Sequence, residues 1–240
     1  MKNILLTGIS KGLGLATAQI ILKNGHNVYG LSRSTTKELK ELKHKYKNTL
    51  YLLQYDLKNS DNIRNKIFKE FLKGVSLNAF INNAALAYDD IITNAKVESI
   101  NDMFKVNVYS PVILTKYSIR NMILNKVKGS IIHISSISVH TGYKGLSMYA
   151  ASKGALEAFS KNTAREWGEL GIRSNCIVSG FMDTEMSSTL SESQKNRIYN
   201  RTSLKKPVNP ESIAATISFL ISDESESITG QNVFVDSGTI

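Results

Sequence analysis

The 240-residue chain has one cysteine, Cys176, and three prolines. A single thiol excludes an internal disulfide, so this is not a disulfide-stapled secreted domain, and a cytoplasmic compartment is expected. No apolar run approaches the ~20 residues that a membrane span requires. Ile4-Leu5-Leu6 ahead of Thr7-Gly8 is too short for the core of a signal peptide. The four histidines (His26, His44, His133, His140) lack ligand spacing with Cys or acids, so no metal site is expected. Low-complexity tracts, repeats and linkers are missing, and 42% apolar residues exclude a mainly disordered chain. A single domain over residues 1–240, long enough to bury a sizeable core, is the expectation.

Charge is present in excess of one sign: 30 basic and 20 acidic side chains leave +10. Six of those ten charges come from two segments, 37–47 and 58–73. Each segment carries a helical apolar stripe (Leu39, Leu42, Tyr46 in one, Ile63, Ile67, Phe71 in the other), which turns its lysines to a solvated outer face. No nucleic-acid or membrane partner is expected. A basic surface also attracts phosphorylated cofactors or acidic carriers.

Apolar runs of strand length recur at Asn3–Thr7, Asn27–Leu31, Thr49–Gln54, Asn78–Asn82, Ser130–Ser135, Ile172–Val178 and Asn232–Val235. Most are continuous rather than alternating, as in parallel strands covered on both faces. Helical patterns fill the gaps at about 12–24, 36–46, 60–72, 96–125, 149–169 and 210–222. The alternation predicts an α/β fold: a doubly wound parallel sheet of about seven strands with ligands at the strand carboxyl ends. Segment 181–205 is weakly periodic and rich in Ser and Thr, and a mobile lid over the site is expected there.

Two patterns carry chemistry. The first strand leads into Thr7-Gly8-Ile9-Ser10-Lys11-Gly12-Leu13-Gly14 and then a helix. Glycines permit a tight turn and close approach to a phosphate, while a helix N-terminus offers free N–H groups. The spacing is G-x-x-x-G-x-G rather than G-x-G-x-x-G, and any strand–helix turn can use glycine. In Tyr149-Ala150-Ala151-Ser152-Lys153, Tyr149 and Lys153 share one helix face. A phenol has an ordinary pKa near ~10, and a neighbouring cation favours its ionised form. A packed Tyr beside a surface Lys is the bland alternative.

Ser136 lies thirteen residues before Tyr149, Ile81-Asn82-Asn83-Ala84-Ala85 ends another strand, and Lys105-Val106-Asn107-Val108 lies in a helix. With Ile228-Thr229-Gly230-Gln231 and Val235-Asp236, these ordered motifs resemble the short-chain dehydrogenase/reductase family in its single-domain branch, over essentially the whole chain. The resemblance implies that Tyr149 is the acid or base at a carbonyl oxygen, and that Ser136, rather than its neighbour Ser135, hydrogen-bonds that oxygen. It implies that Lys153 binds the nicotinamide ribose and depresses the Tyr149 pKa. Asn107 would hold a relay water, or else be a buried amide at a helix kink.

Charge then bears on the cofactor. Arg33 stands nineteen residues after Gly14, and no acid follows until Glu38. An acidic residue there favours NAD and an Arg accommodates the 2′-phosphate, so Arg33 together with Lys11 points to NADP(H). By resemblance Asp56, followed by Leu57, meets the adenine, and Asn83 and Ala84 line the adenosine side. Gly8, Ser10, Gly12, Leu13 and Gly14 form the phosphate turn, and Gly180, Met182 and Thr184 approach the carboxamide. Ser179 stands where the family usually has proline, which loosens that turn.

Length and motifs most resemble 3-oxoacyl carrier-protein reductases, implying an acyl carrier protein or CoA thioester as substrate. Leu170 and Val127 occupy positions that are usually basic in those enzymes, although Lys126 and Lys128 flank the latter. A reductase for a small polar or sugar-derived ketone, read by His140, Tyr143 and Lys144, remains open. So does a non-catalytic NADP(H)-sensing module. A homotetramer or homodimer built through helices 96–125 and 149–169 is expected.

Overall fold

The computed structural model describes residues 1–183 and 190–240. Strands β1 (Asn3–Thr7), β2 (Asn27–Ser32), β3 (Leu50–Gln54), β4 (Ala79–Asn82), β5 (Ser130–Ser136), β6 (Arg173–Ser179) and β7 (Asn232–Val235) form one sheet in the order β3-β2-β1-β4-β5-β6-β7. Every ladder is parallel, with Ile4 opposite both Val28 and Ala79, and Ser136 opposite Ser179. Each strand lies within a residue of an apolar run seen in the sequence. The strand order reverses between β1 and β4, which opens a crevice at the strand carboxyl ends.

The helices are α1 (Gly12–Lys23), α2 (Lys37–Lys45), α3 (Val97–Phe104), α4 (Ser110–Leu124), α5 (Ser147–Trp167), α6 (Glu192–Tyr199) and α7 (Pro210–Leu220). Two expected helices are wound differently. Most of 60–72 is a π-helix, Ile63–Phe71, and the stretch 96–125 is α3 and α4 joined by a π-wound turn, Lys105–Tyr109. A π turn inserts one residue into the helical register and commonly marks a functional site. Here it carries Asn107.

Alternate strand residues face opposite layers. Ile4, Leu6, Ile81, Ile132, Ile134 and Ile177 pack with Ile21, Leu39, Ile213 and Ile217 of α1, α2 and α7 in one hydrocarbon layer. On the other face Leu5, Phe80 and Ile131 pack against Ile63, Ile67, Leu114 and Met122. Leu39, Leu42, Ile63 and Ile67 are buried, so the lysine-rich segments do turn their apolar stripes inward.

Under α5 the second face becomes polar. Ser160 and Ser174 share a 2.8 Å hydrogen bond, and the Cys176 thiol donates to the Leu156 carbonyl at 3.6 Å. His133 is enclosed between Phe80 and Phe159. Its Nδ1 lies 3.3 Å from the Asn82 amide.

Candidate active site

The strand carboxyl ends enclose a cleft of about 460 Å³. The expected residues of the Gly8–Gly14 turn line it, with Arg33, Asp56, Leu57, Asn83, Ala84, Tyr149, Lys153 and Met182. Ser135 lines it but Asn107, Ser136, His140, Tyr143, Lys144 and Gly180 do not, and Thr184 lies outside the described residues.

One wall is the turn after β1. Gly8 has φ 72°, a conformation that strains any residue with a Cβ. A Cβ on Gly14 would lie 2.0 Å from the Gly8 carbonyl oxygen, so α1 abuts the turn with nothing between them. Asn83 donates its side-chain amide to the Thr7 and Gly8 carbonyls at 3.1 Å each. The Thr7 hydroxyl accepts from the backbone amides of Asn83 and Ala84 at 3.0 Å each, stitching β1 to β4. The first turn of α1 holds no acidic side chain, so its positive dipole end meets no resident anion. A Cβ-free cradle closed against a helix N-terminus fits a pyrophosphate.

Arg33 is exposed at the cleft edge between Ser32 and Ser34, its backbone carbonyl held by the Gln54 amide at 2.9 Å. Asp56 accepts from the Lys58 backbone amide at 2.9 Å, and the Leu57 carbonyl accepts from the Ser110 hydroxyl. The β2 end of the cleft thus presents a cation and hydroxyls, a donor set suited to a phosphomonoester.

The opposite wall carries Tyr149 and Lys153. The Lys153 ammonium donates to the Ile134 carbonyl at 2.8 Å and sits 5.7 Å from the Tyr149 ring centroid. Burial pushes the Lys153 pKa down to about 8. Burial also pushes the Tyr149 phenol up to about 12, and the negative charge of Asp89 adds to the rise. The expected depression of the phenol by Lys153 is therefore corrected. The cation is turned onto a backbone carbonyl, and loss of water around the phenol outweighs it. Through the neutral range Tyr149 keeps its proton.

Asn107 is a buried amide with three hydrogen bonds. Its amide nitrogen donates to the Leu86 carbonyl at 2.9 Å and to the Ser152 hydroxyl at 3.0 Å, while its oxygen accepts from the Leu86 amide at 2.8 Å. Both amide protons are committed to holding the loop after β4 against α5.

Ser135 and Ser136 have different partners. The Ser135 hydroxyl turns away to Glu157 at 2.5 Å, whereas Ser136 caps the 3-10 turn Ile137–Val139. His140 Nε2 is hydrogen-bonded to Glu157. Ser179 supplies what the missing proline does not: its hydroxyl donates to the Ser135 carbonyl at 3.0 Å, tying β6 to β5 at the mouth of the cleft. The next residue, Gly180, would place a Cβ 2.6 Å from the Asp236 Cα.

Several site residues were not singled out from the sequence: Thr7, Asp89, Glu157 and the helix α6. Lys195 of α6 pairs with Asp183 at the cleft edge at 3.0 Å, and the Tyr199 hydroxyl donates to the same carboxylate at 3.3 Å. The signal for α6 was present in Ser191-x-x-Gln194, a reciprocal capping box. Among the described residues no three His, Cys, Asp or Glu side chains group as metal ligands.

A family model described as enoyl-(acyl carrier protein) reductase matches residues 8–239. The 3-oxoacyl-(acyl-carrier-protein) reductase FabG of Buchnera aphidicola subsp. Acyrthosiphon pisum is 33% identical over 233 residues, covering 97% of this chain and 95% of the relative. Among solved structures, a 4-hydroxyisoleucine dehydrogenase complexed with NADH superimposes with a TM-score of 0.93 at 29% identity, covering 100% of this chain and 98% of the other. ElxO with NADP bound gives a TM-score of 0.89 at 27% identity, covering 100% and 99%.

Proposed function

The chain belongs to the short-chain dehydrogenase/reductase family, and on that premise we propose that it is an NADP(H)-dependent oxidoreductase interconverting a ketone and a secondary alcohol. The observation that carries this reading is that the Tyr149–Lys153 pair and the Gly8–Gly14 turn are walls of one cleft.

In this reading Gly8, Ser10, Gly12, Leu13 and Gly14 hold the pyrophosphate at the α1 N-terminus. Arg33 and Lys11 hold a 2′-phosphate, which is the support for NADP(H) over NAD(H). Asp56, Leu57, Asn83 and Ala84 enclose the adenosine, and Tyr149 and Lys153 hold the nicotinamide ribose. Gly180 and Met182 meet the carboxamide. Bound there, the cofactor supplies or accepts a hydride. The Ser136 hydroxyl donates to the substrate carbonyl oxygen where negative charge develops. Tyr149 gives that oxygen its proton in reduction and takes it back in oxidation, and burial leaves the phenol in the protonated form from which the acid step starts.

The substrate best supported is a 3-oxoacyl thioester on an acyl carrier protein or CoA, on the strength of relatives such as the Buchnera reductase. A small polar or sugar-derived ketone is the second reading. It is favoured by the exposed Leu170 and by Val127 at positions expected to be basic, and by the likeness to 4-hydroxyisoleucine dehydrogenase. For assembly the reading is a homodimer or homotetramer. The groove of about 330 Å³ between α4 and α5, with Ile119, Phe159 and Trp167, supports burial of that face by a second copy. Among the described residues no helix is long and apolar enough to cross a membrane, and cytoplasmic residence is part of the proposal.

Binding and turnover of NADPH and NADH with an acetoacetyl thioester and a panel of polar ketones test the reading, with Tyr149→Phe as control. Thioester reduction with NADPH that vanishes in the variant is expected. NADPH binding without thioester turnover moves the substrate to the second reading. NADPH binding with no turnover of any ketone points to a sensing module, and no binding of either nucleotide overturns the proposal.

A further inference from the structure

We propose that Glu157 is a positioning residue that sets the placement of the Ser136 hydroxyl relative to the Tyr149 phenol. The proposal rests on the reading of Ser136 and Tyr149 given above. Glu157 is buried, one helical turn beyond Lys153 and two beyond Tyr149, so the three share one stripe of α5. A carboxylate removed from water persists where donors replace its hydration. Three donors do so here. The Ser135 hydroxyl donates to Oε1 at 2.5 Å and the Asn232 amide to Oε2 at 2.6 Å, while His140 Nε2 lies 3.2 and 3.0 Å from the two oxygens.

The sequence positions of these donors give the carboxylate its role. Ser135 immediately precedes Ser136, and His140 closes the turn Ile137–Val139 that Ser136 opens. One carboxylate therefore holds both ends of the segment bearing the oxygen donor. The His140 ring packs edge-on to Phe234 of β7 with centroids 4.9 Å apart, which limits its rotation.

Inside the clamped segment the Ser136 oxygen accepts from the Ser138 amide at 3.2 Å and from the Ser138 hydroxyl at 3.0 Å. With both lone pairs engaged, the Ser136 O–H proton is left to donate outward. Glu157 contacts neither Ser136 nor Tyr149 and acts through the turn on one and through α5 on the other. Rigid support of this kind holds donor and acid to a fixed separation.

The test compares Glu157→Gln, His140→Ala, His140→Gln and Ser136→Ala, singly and combined, in NADPH-dependent reduction of the acetoacetyl thioester. Glu157→Gln is expected to lower kcat about tenfold while the NADPH Kd changes less than about twofold. In the Ser136→Ala background it is expected to cost less than about twofold more, because the group it positions is gone. His140→Gln, which keeps a side-chain N–H donor, should recover most of the kcat lost in His140→Ala. Amide hydrogen exchange of residues 136–141 should quicken in Glu157→Gln while α1 is unchanged. If Glu157→Gln does not fold, the partly exposed His140 variants carry the same comparison.

Unchanged exchange at 136–141, a kcat loss matched by loss of NADPH binding, or full additivity with Ser136→Ala overturns the clamp. Undiminished turnover in Ser136→Ala instead overturns the oxygen-donor reading of that serine, and the catalytic role of the clamp with it.

Discussion

The two faces of the sheet are built on opposite principles. Toward α1, α2 and α7 the strands present Ile4, Leu6, Ile81, Ile132, Ile134 and Ile177 to more aliphatic side chains. Toward α5 they present His133, Ser135, Ser174 and Cys176 to Ser152, Lys153, Glu157 and Ser160, all buried. Hydrocarbon packing is non-directional and tolerates small rotations. A buried polar layer tolerates fewer, because each unpaired donor or acceptor costs about 1–3 kcal/mol, a cost already carried at His133 Nε2 and Asn82 Oδ1. The first face supplies stability, and the second trades stability for orientation. Tyr149 and Lys153 hang from the second, and Ser136 follows directly on its Ser135.

The strongest break of the comparison is Lys153→Met. It should lower turnover by about 100-fold or more. It should do so without lowering Tm, since burial already disfavours the Lys153 charge. Steady-state kinetics beside a melting curve read both. The mirror experiment is Ile217→Ala on α7, a fully buried hydrocarbon, which should cost about 2–5 kcal/mol in urea unfolding. The kcat of its folded fraction should be unchanged.

A third test is acid stability. His133 is held neutral, its pKa pushed down to about 3 from an ordinary 6.5, mainly by burial and then by the Lys153 charge. As pH falls below 6.5 the unfolded chain takes up a proton that the folded chain refuses, so stability declines until pH nears 3. The contribution is on the order of 1 kcal/mol per pH unit, and His133→Leu should flatten it in unfolding measured from pH 7 to 4. The smallest effect belongs to Ser179→Ala, which removes the bond to the Ser135 carbonyl. It should lower stability by about 1 kcal/mol, a Tm change of about 2–4 °C by calorimetry.

Strand positions were legible in the sequence because parallel strands buried on both faces are continuous apolar runs, as in Ser130-Ile131-Ile132-His133-Ile134-Ser135. The winding of Ile63–Phe71 and Lys105–Tyr109 was not, since π and α helices share the same apolar stripe. The motif residues lining the cleft were legible as ordered motifs. What failed was the electrostatics: adjacency of Tyr149 and Lys153 on a helix predicts a lowered phenol pKa, but desolvation depends on what lies over both, and sequence spacing carries no burial. Glu157 was invisible for the same reason. Its partners Ser135, His140 and Asn232 come together only once β5, β7 and α5 are packed.

The all-parallel ladder also bears on how the chain reaches its fold. The shortest-range pairing joins Val28 to Leu50, and the central one joins Ile4 to Ala79. Such pairings must close long loops before any contact rewards them, so refolding should be slow for a chain of this size. The cleft has no locally folded precursor, because its walls come from the ends of six strands. The nucleotide proposed for it therefore grips only the finished sheet. At 100 times its Kd it would deepen the native well by about 2.7 kcal/mol. Contacts that form this late act on the unfolding rate rather than the folding rate. Copies that hold nucleotide would outlive those that do not, and cofactor supply would set the protein's lifetime as well as its turnover.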